Sequence, residues 1–114
     1  MKPEAKVKAR AKALFEAAGA YWTPIVQSAI TKAGHPDADV CFRGRFLGVE
    51  CKSGKKKPTP LQRRRLREIA EAGGVSMVVN EDRLKDLERY LADGGDTDPA
   101  VLDRLLYKEA ADDD

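Results

Sequence analysis

Histidine and cysteine are scarce in this sequence, with one and two copies respectively. No CxxC pair is present, which excludes a structural zinc site built on the usual cysteine and histidine spacing. Cys41 and Cys51 fall inside expected strands and read as reduced, half-buried thiols rather than as a disulfide. Long apolar runs are missing too, and no stretch approaches the ~20 residues needed to span a bilayer. The opening residues, MKPEAKVKARAKALFEAAG, alternate charge with small apolar side chains and lack the apolar segment of a signal peptide. The expectation is a cytoplasmic protein with no membrane partner.

Charge is what the chain has in abundance. Charged residues make up 35% and apolar residues 42%, which suits a single modest core under a heavily charged surface. One domain is expected over residues 1–109, followed by an acidic tail at 110–114. The net charge of +2 conceals an uneven distribution. Lys52, Lys55, Lys56, Lys57, Arg63, Arg64, Arg65 and Arg67 crowd one stretch, with Arg43 and Arg45 just upstream. The C-terminal part is acidic, with Asp93, Asp96, Asp98, Asp103, Glu109 and Asp112 to Asp114. A basic block beside acids placed near a core suggests a face for a polyanion; a solvated charge run is the plainer alternative.

Periodicity orders the chain as α-β-β-β-α-β-α-α. Val7, Ala11, Leu14, Phe15 and Ala18 recur at helical spacing from Pro3, and Gly19 is a natural stop. Residues 20–26 read as a strand whose Pro24 argues for an edge position or a bulge. A hairpin follows, with strands near 38–42 and 46–52 around the tight basic turn Arg43-Gly44-Arg45. Thr59, Pro60 and Gln62 have the arrangement of a capped helix start, and Leu61, Leu66, Ile69 and Ala70 supply that helix's apolar face. Gly73-Gly74 ends it before a buried-type strand at 75–79. Asn80 is the expected cap of a third helix running through Leu91, and a last short helix runs from Pro99 to about Glu109. The fold class expected is α/β: a mixed sheet flanked by helices, with a crossover from the third strand to the fourth.

The hairpin carries the chemistry. Strand side chains alternate between faces, so Glu50 and Lys52 project from one face while Val49 and Cys51 take the other. Asp37, entering the neighbouring strand, comes within reach of Glu50. Two carboxylates beside one ammonium make a site for a hard cation such as Mg²⁺ or Mn²⁺, to which the backbone carbonyl of Cys51 is a further candidate ligand. Such a cation polarises a phosphoryl oxygen, and Lys52 is placed to orient water or offset charge on the phosphate. The basic segment alongside would hold a nucleic-acid backbone. Spacing alone leaves a structural Glu50–Lys52 pair open, with Asp37 as a turn former after Pro36.

Taken together, GHPDADVCFRGRFLGVECK, then TPLQ, then AGGVSMVV, resembles the VRR-NUC family, the virus-type replication-repair nucleases of the PD-(D/E)xK superfamily. Gly34, Pro36 and Asp37 match, as do Glu50, Lys52, Gln62 and the glycine before an apolar strand, over roughly residues 4–91. The resemblance implies a restriction-endonuclease-like fold, a divalent Mg²⁺ or Mn²⁺ held by Asp37 and Glu50, and Lys52 as the catalytic lysine. It assigns supporting roles to Gln62 and to Glu4 in the first helix. It also implies a phage or bacterial homodimer that cuts branched DNA, notably four-way junctions. Flap or strand-end cleavage, as in larger relatives, is the alternative. Phosphate contacts are expected from Lys55, Lys56, Lys57, Arg63, Arg64, Arg43 and Arg45.

Several residues keep a second reading. Asp39 shares Asp37's strand face and is a rival ligand. Gln62 is equally suited to cap the helix from Thr59, and Glu4 to favour a helix dipole. His35 reads as a loop residue or as a base. Tyr21 and Trp22 read as core or dimer contacts rather than stacking platforms, and the stripe Val101, Leu102, Leu105 and Leu106 packs either on its own domain or on a partner. Two other functions compete with cleavage: a non-cutting DNA-binding module on this fold, and a regulatory protein whose acidic tail mimics nucleic acid.

Overall fold

Val7, Ala11 and Phe15 recur every four residues and form the buried stripe of the first helix, α1 (Pro3–Ala17). Pro3 opens that helix, and Gly19, at φ +85°, turns the chain away from it. The computed structural model describes residues 1–108. The acidic tail, together with Glu109, lies outside the described residues.

Four strands follow the helix in one sheet: β1 (Tyr21–Pro24), β2 (Ala38–Phe42), β3 (Arg45–Cys51) and β4 (Val75–Val79). Their spatial order is their chain order. β1–β2 and β2–β3 run antiparallel, and β3–β4 runs parallel. Pro24, which has no N–H to give a ladder, sits on the edge strand as its chemistry requires. The β2–β3 turn consists of Arg43 and Gly44 alone, with φ of 55° and 76°. Two consecutive positive φ values are the backbone of a type I′ turn, whose twist matches that of the paired strands.

Helix α2 (Pro60–Glu71) connects the parallel pair β3 and β4. A 3₁₀ turn at Glu81–Arg83 leads into α3 (Leu84–Ala92), and α4 (Pro99–Leu105) closes the domain. One face of the sheet packs Val40, Phe42, Leu47, Val49, Met77 and Val79 against the α1 stripe and against Leu87, Tyr90 and Leu105 of α3 and α4. Phe15 stacks obliquely on Trp22, with ring centroids 5.7 Å apart. The other face carries α2. The buried hydroxyl of Ser76 donates to the Leu66 carbonyl at 2.6 Å and ties helix to sheet.

Several expectations are corrected in detail. Asn80 makes no side-chain cap; a 3₁₀ turn follows it instead, and its Oδ1 is buried with no partner among the described residues. Cys41 is exposed and Cys51 fully buried, because they lie on opposite kinds of position in neighbouring strands. Leu61 and Ala70 are exposed, so α2 rests on Leu66 and part of Ile69. The last helix ends at Leu105, and Leu106 forms an isolated antiparallel bridge with Met77. Val101 and Leu105 are buried in their own domain, with Leu102 and Leu106 packed against the same core. Among the described residues no helix is long and apolar enough to cross a membrane.

Gly34 holds the loop before β2 against the start of α2. It has φ +79°, and a Cβ there would stand 2.6 Å from Leu61 Cγ and 3.0 Å from the Leu61 backbone. Gly34→Ala is therefore strained twice, by conformation and by contact. It should cost about 1–3 kcal/mol, a drop of about 5–10 °C in melting temperature read by circular dichroism.

Candidate active site

Glu50 occupies the least comfortable position in the sheet. Leu47, Val49 and Cys51 of β3 point into the helical core, so alternation turns Gly48, Glu50 and Lys52 to the α2 face. Glu50 is only 1% exposed. Its Oε2 lies 3.6 Å from Lys52 Nζ. Its Oε1 is buried with no hydrogen-bond partner among the described residues. Such an atom is costly unless something satisfies it.

A second acid stands beside it. Asp37 precedes β2, and its Oδ2 accepts the backbone N–H of Cys51 at 2.7 Å. Its Oδ1 lies 3.3 Å from Lys8 Nζ. The structure thus brings Asp37, Glu50 and Lys52 to one end of β3. Burial, and then the negative charge of Asp37, push the Glu50 carboxyl up to about 8, against the pull of Lys52. Glu4, on the first turn of α1, adds a smaller part of that upward push. Burial likewise pushes the Cys51 thiol up, which keeps it protonated and unreactive. Burial alone would lower the pKa of Lys8, but the charge and hydrogen bond of Asp37 raise it above the ordinary lysine value.

An unsatisfied buried carboxylate oxygen next to a second carboxylate fits a divalent hard cation. Among the described residues no three His, Cys, Asp or Glu side chains gather into a metal cage. The donor set is smaller: Asp37, Glu50 and the Cys51 carbonyl. In an extended strand a residue's N–H and C=O point the same way, so that carbonyl faces the Asp37 side along with its amide. Mg²⁺ is commonly held by one or two carboxylates with the remaining positions filled by water, and this set matches that habit.

The other candidate residues divide by position. Gln62 forms a capping box: its Oε1 accepts the Thr59 N–H at 2.9 Å, and Thr59 Oγ1 accepts the Gln62 N–H at 3.2 Å. It also lines a cleft with Asp37, His35 and Thr59. Capping uses the carbonyl oxygen, so the helix start and the cleft share one residue. His35 Nε2 lies 2.6 Å from Asp39 Oδ1; Asp39 has a partner of its own, while Asp37 is the acid that meets Glu50. Lys55, Lys56 and Lys57 are exposed on the loop between β3 and α2, beside the site. Arg63 donates to the Pro58 carbonyl on the same loop, and Arg64 is exposed near Glu68. Arg43 and Arg45 sit at the far end of the hairpin; Glu50 lies five residue steps along the strand from Arg45, roughly 17 Å. The sequence reading missed Lys8. Its available signal was the Glu4–Lys8 spacing of one helical turn, next to the buried stripe.

Among solved structures, the chain is similar to a VRR_NUC domain, with a TM-score of 0.68, 28% identity, and 81% of this chain and 97% of that one covered. It is also similar in fold to the Holliday junction resolvase Hjc of Archaeoglobus fulgidus, at a TM-score of 0.53 and 15% identity, covering 67% of this chain and 66% of the other. No family model matches the sequence, and no curated protein does.

The raised Glu50 carboxyl has a signed consequence for the metal-free protein. A carboxyl titrating at about 8 in the fold and near 4.5 outside it favours the folded state while protonated. That contribution is complete below about pH 4.5 and is lost as pH rises through about 8. In chelator, the melting temperature should fall over that window, and Glu50→Gln should flatten the fall and melt higher than wild type at the alkaline end.

Proposed function

We propose that this chain, which belongs to the VRR-NUC family within the PD-(D/E)xK superfamily, is a Mg²⁺- or Mn²⁺-dependent endonuclease that cuts branched DNA as a homodimer, with the four-way junction as its preferred substrate. At the level of the family, the activity is that of a nuclease acting on DNA. The observation that carries the finer reading is the meeting of Asp37, Glu50 and Lys52 at one end of β3, with one Glu50 oxygen left unsatisfied among the described residues.

In this reading Asp37, Glu50 and the Cys51 carbonyl hold the cation, which supplies Lewis-acid stabilisation of the phosphoryl oxygen when bound. Lys52, 11% exposed at its side chain and anchored by Glu50, orients the attacking water and offsets charge that builds on the phosphate. Gln62 and Glu4 support the acids from α2 and α1. Lys55, Lys56, Lys57, Arg63 and Arg64 grip phosphates on either side of the scissile one, and Arg43 and Arg45 engage the backbone farther along a duplex.

Pairing suits the substrate. A four-way junction offers two equivalent strands, and a two-fold dimer offers two equivalent sites. α4 spends its apolar stripe on its own core, which leaves the apolar surface for pairing to another part of the domain in this reading. Tyr21, Cys41 and Phe46 stand opposite one another across β1, β2 and β3, and all three are exposed. This apolar row favours self-association over a lone chain.

The deciding assay uses junction, flap, duplex and single-stranded DNA with Mg²⁺ or Mn²⁺. Wild type should cut the junction, and Lys52→Ala should cut at least ~100-fold more slowly while still binding it. Equal rates for the two proteins would remove Lys52 from catalysis. Light scattering should report a dimer at micromolar concentration; a monomer would end the paired-incision reading. Replacing Lys55, Lys56 and Lys57 together by alanine should weaken binding to every DNA and flatten its salt dependence by about three counterions.

A further inference from the structure

We propose that Lys8 is a resident counter-ion that occupies the outward oxygen of Asp37 in the metal-free protein, holds the two acids in place, and has to yield that oxygen when a divalent cation binds. The inference rests on the reading of Asp37 and Glu50 as cation ligands. It adds a positioning residue that lies outside the Asp37, Glu50, Lys52 motif.

The two oxygens of Asp37 have different duties. Oδ2 is spent on the Cys51 N–H at 2.7 Å, a bond that fixes the carboxylate against β3. Oδ1 is the oxygen left to ligate a cation, and it is the one that lies 3.3 Å from the Lys8 ammonium. Asp37 and Glu50 are therefore each paired with a lysine, Lys8 and Lys52 respectively. The lysines are not equivalent. Lys52 is 11% exposed at its side chain and enclosed with Glu50, whereas Lys8 is 40% exposed and carried on the surface of α1. A lysine on a flexible four-carbon stem with open solvent beside it can swing away at small cost. Glu4, one turn earlier on α1, gives the displaced ammonium an acid nearby. Without Lys8 the two acids would face each other with one compensating charge fewer, and a cation would meet less opposition at Oδ1.

The test is calorimetric titration of MnCl₂ into the full chain without DNA, at one pH and ionic strength, for wild type, Lys8→Met and Lys8→Arg. Lys8→Met should bind Mn²⁺ about five- to tenfold more tightly than wild type, a direction that a merely structural lysine would not produce. Lys8→Arg, which keeps the charge, should stay within about twofold of wild type. In chelator, Lys8→Met should melt below wild type, and saturating Mn²⁺ should erase that difference. Equal or weaker Mn²⁺ binding by a folded Lys8→Met protein overturns the inference while leaving the cation site standing. Absence of Mn²⁺ uptake in all three proteins overturns both.

Discussion

Two carboxylates forced together at one end of a buried strand are the constraint around which this domain is organised. Glu50 has almost no access to water, and Asp37 is pinned beside it by the Cys51 amide. Neither position follows from the needs of a hydrophobic core, where a valine at 50 would pack without penalty. The chain gives each acid a lysine, while burial and the charge of Asp37 hold the Glu50 carboxyl above its ordinary range. A buried carboxyl with a raised pKa beside a second acid is the pattern that marks a candidate functional site.

The remaining architecture serves that end of the sheet. β3 and β4 are parallel, so their C-terminal ends emerge together, and the lysine-rich loop leaves from the end of β3. Helix α2 starts immediately after that loop, and its capping box reaches into the cleft beside Asp37. α1 contributes Glu4 and Lys8 from the other side. These side chains thus converge from α1, the start of β2, the end of β3 and the start of α2, while the apolar layer below keeps those elements from shifting.

Much of this was legible in the chain because its signals were local. The alternation around Glu50 and Lys52, the Thr59-Pro60-Leu61-Gln62 helix start and the glycine turn each depend on neighbours within a few residues. The element order and the meeting of Asp37, Glu50 and Lys52 at one end of β3 followed from these. What escaped depended on tertiary placement. Lys8 is one of several lysines on a surface helix, and only the docking of α1 singles it out. Asn80 has the chemistry of a cap, but the tight turn after β4 directs its side chain inward. The Val101–Leu106 stripe left two packings open, and the Met77–Leu106 bridge settles it on its own domain. The binding basic cluster was read as one face from its sequence proximity, yet Arg43 and Arg45 lie a full strand away from the lysine loop, because a hairpin doubles the chain back before β3 carries it onward.

The two-residue turn at Arg43-Gly44 also sets an order of events. A hairpin with so short a connection zips from its turn outward, since the rungs nearest the bend close the smallest loops. Phe42–Arg45 is the rung nearest the bend, and Ala38–Val49 is the last of the ladder. The Asp37–Cys51 contact lies beyond that last rung, so the two acids meet only where the apolar rungs of the ladder end. The Cys51 amide proton, whose exchange with solvent follows this outermost closure, is accordingly the natural reporter of how often the domain opens at its working end.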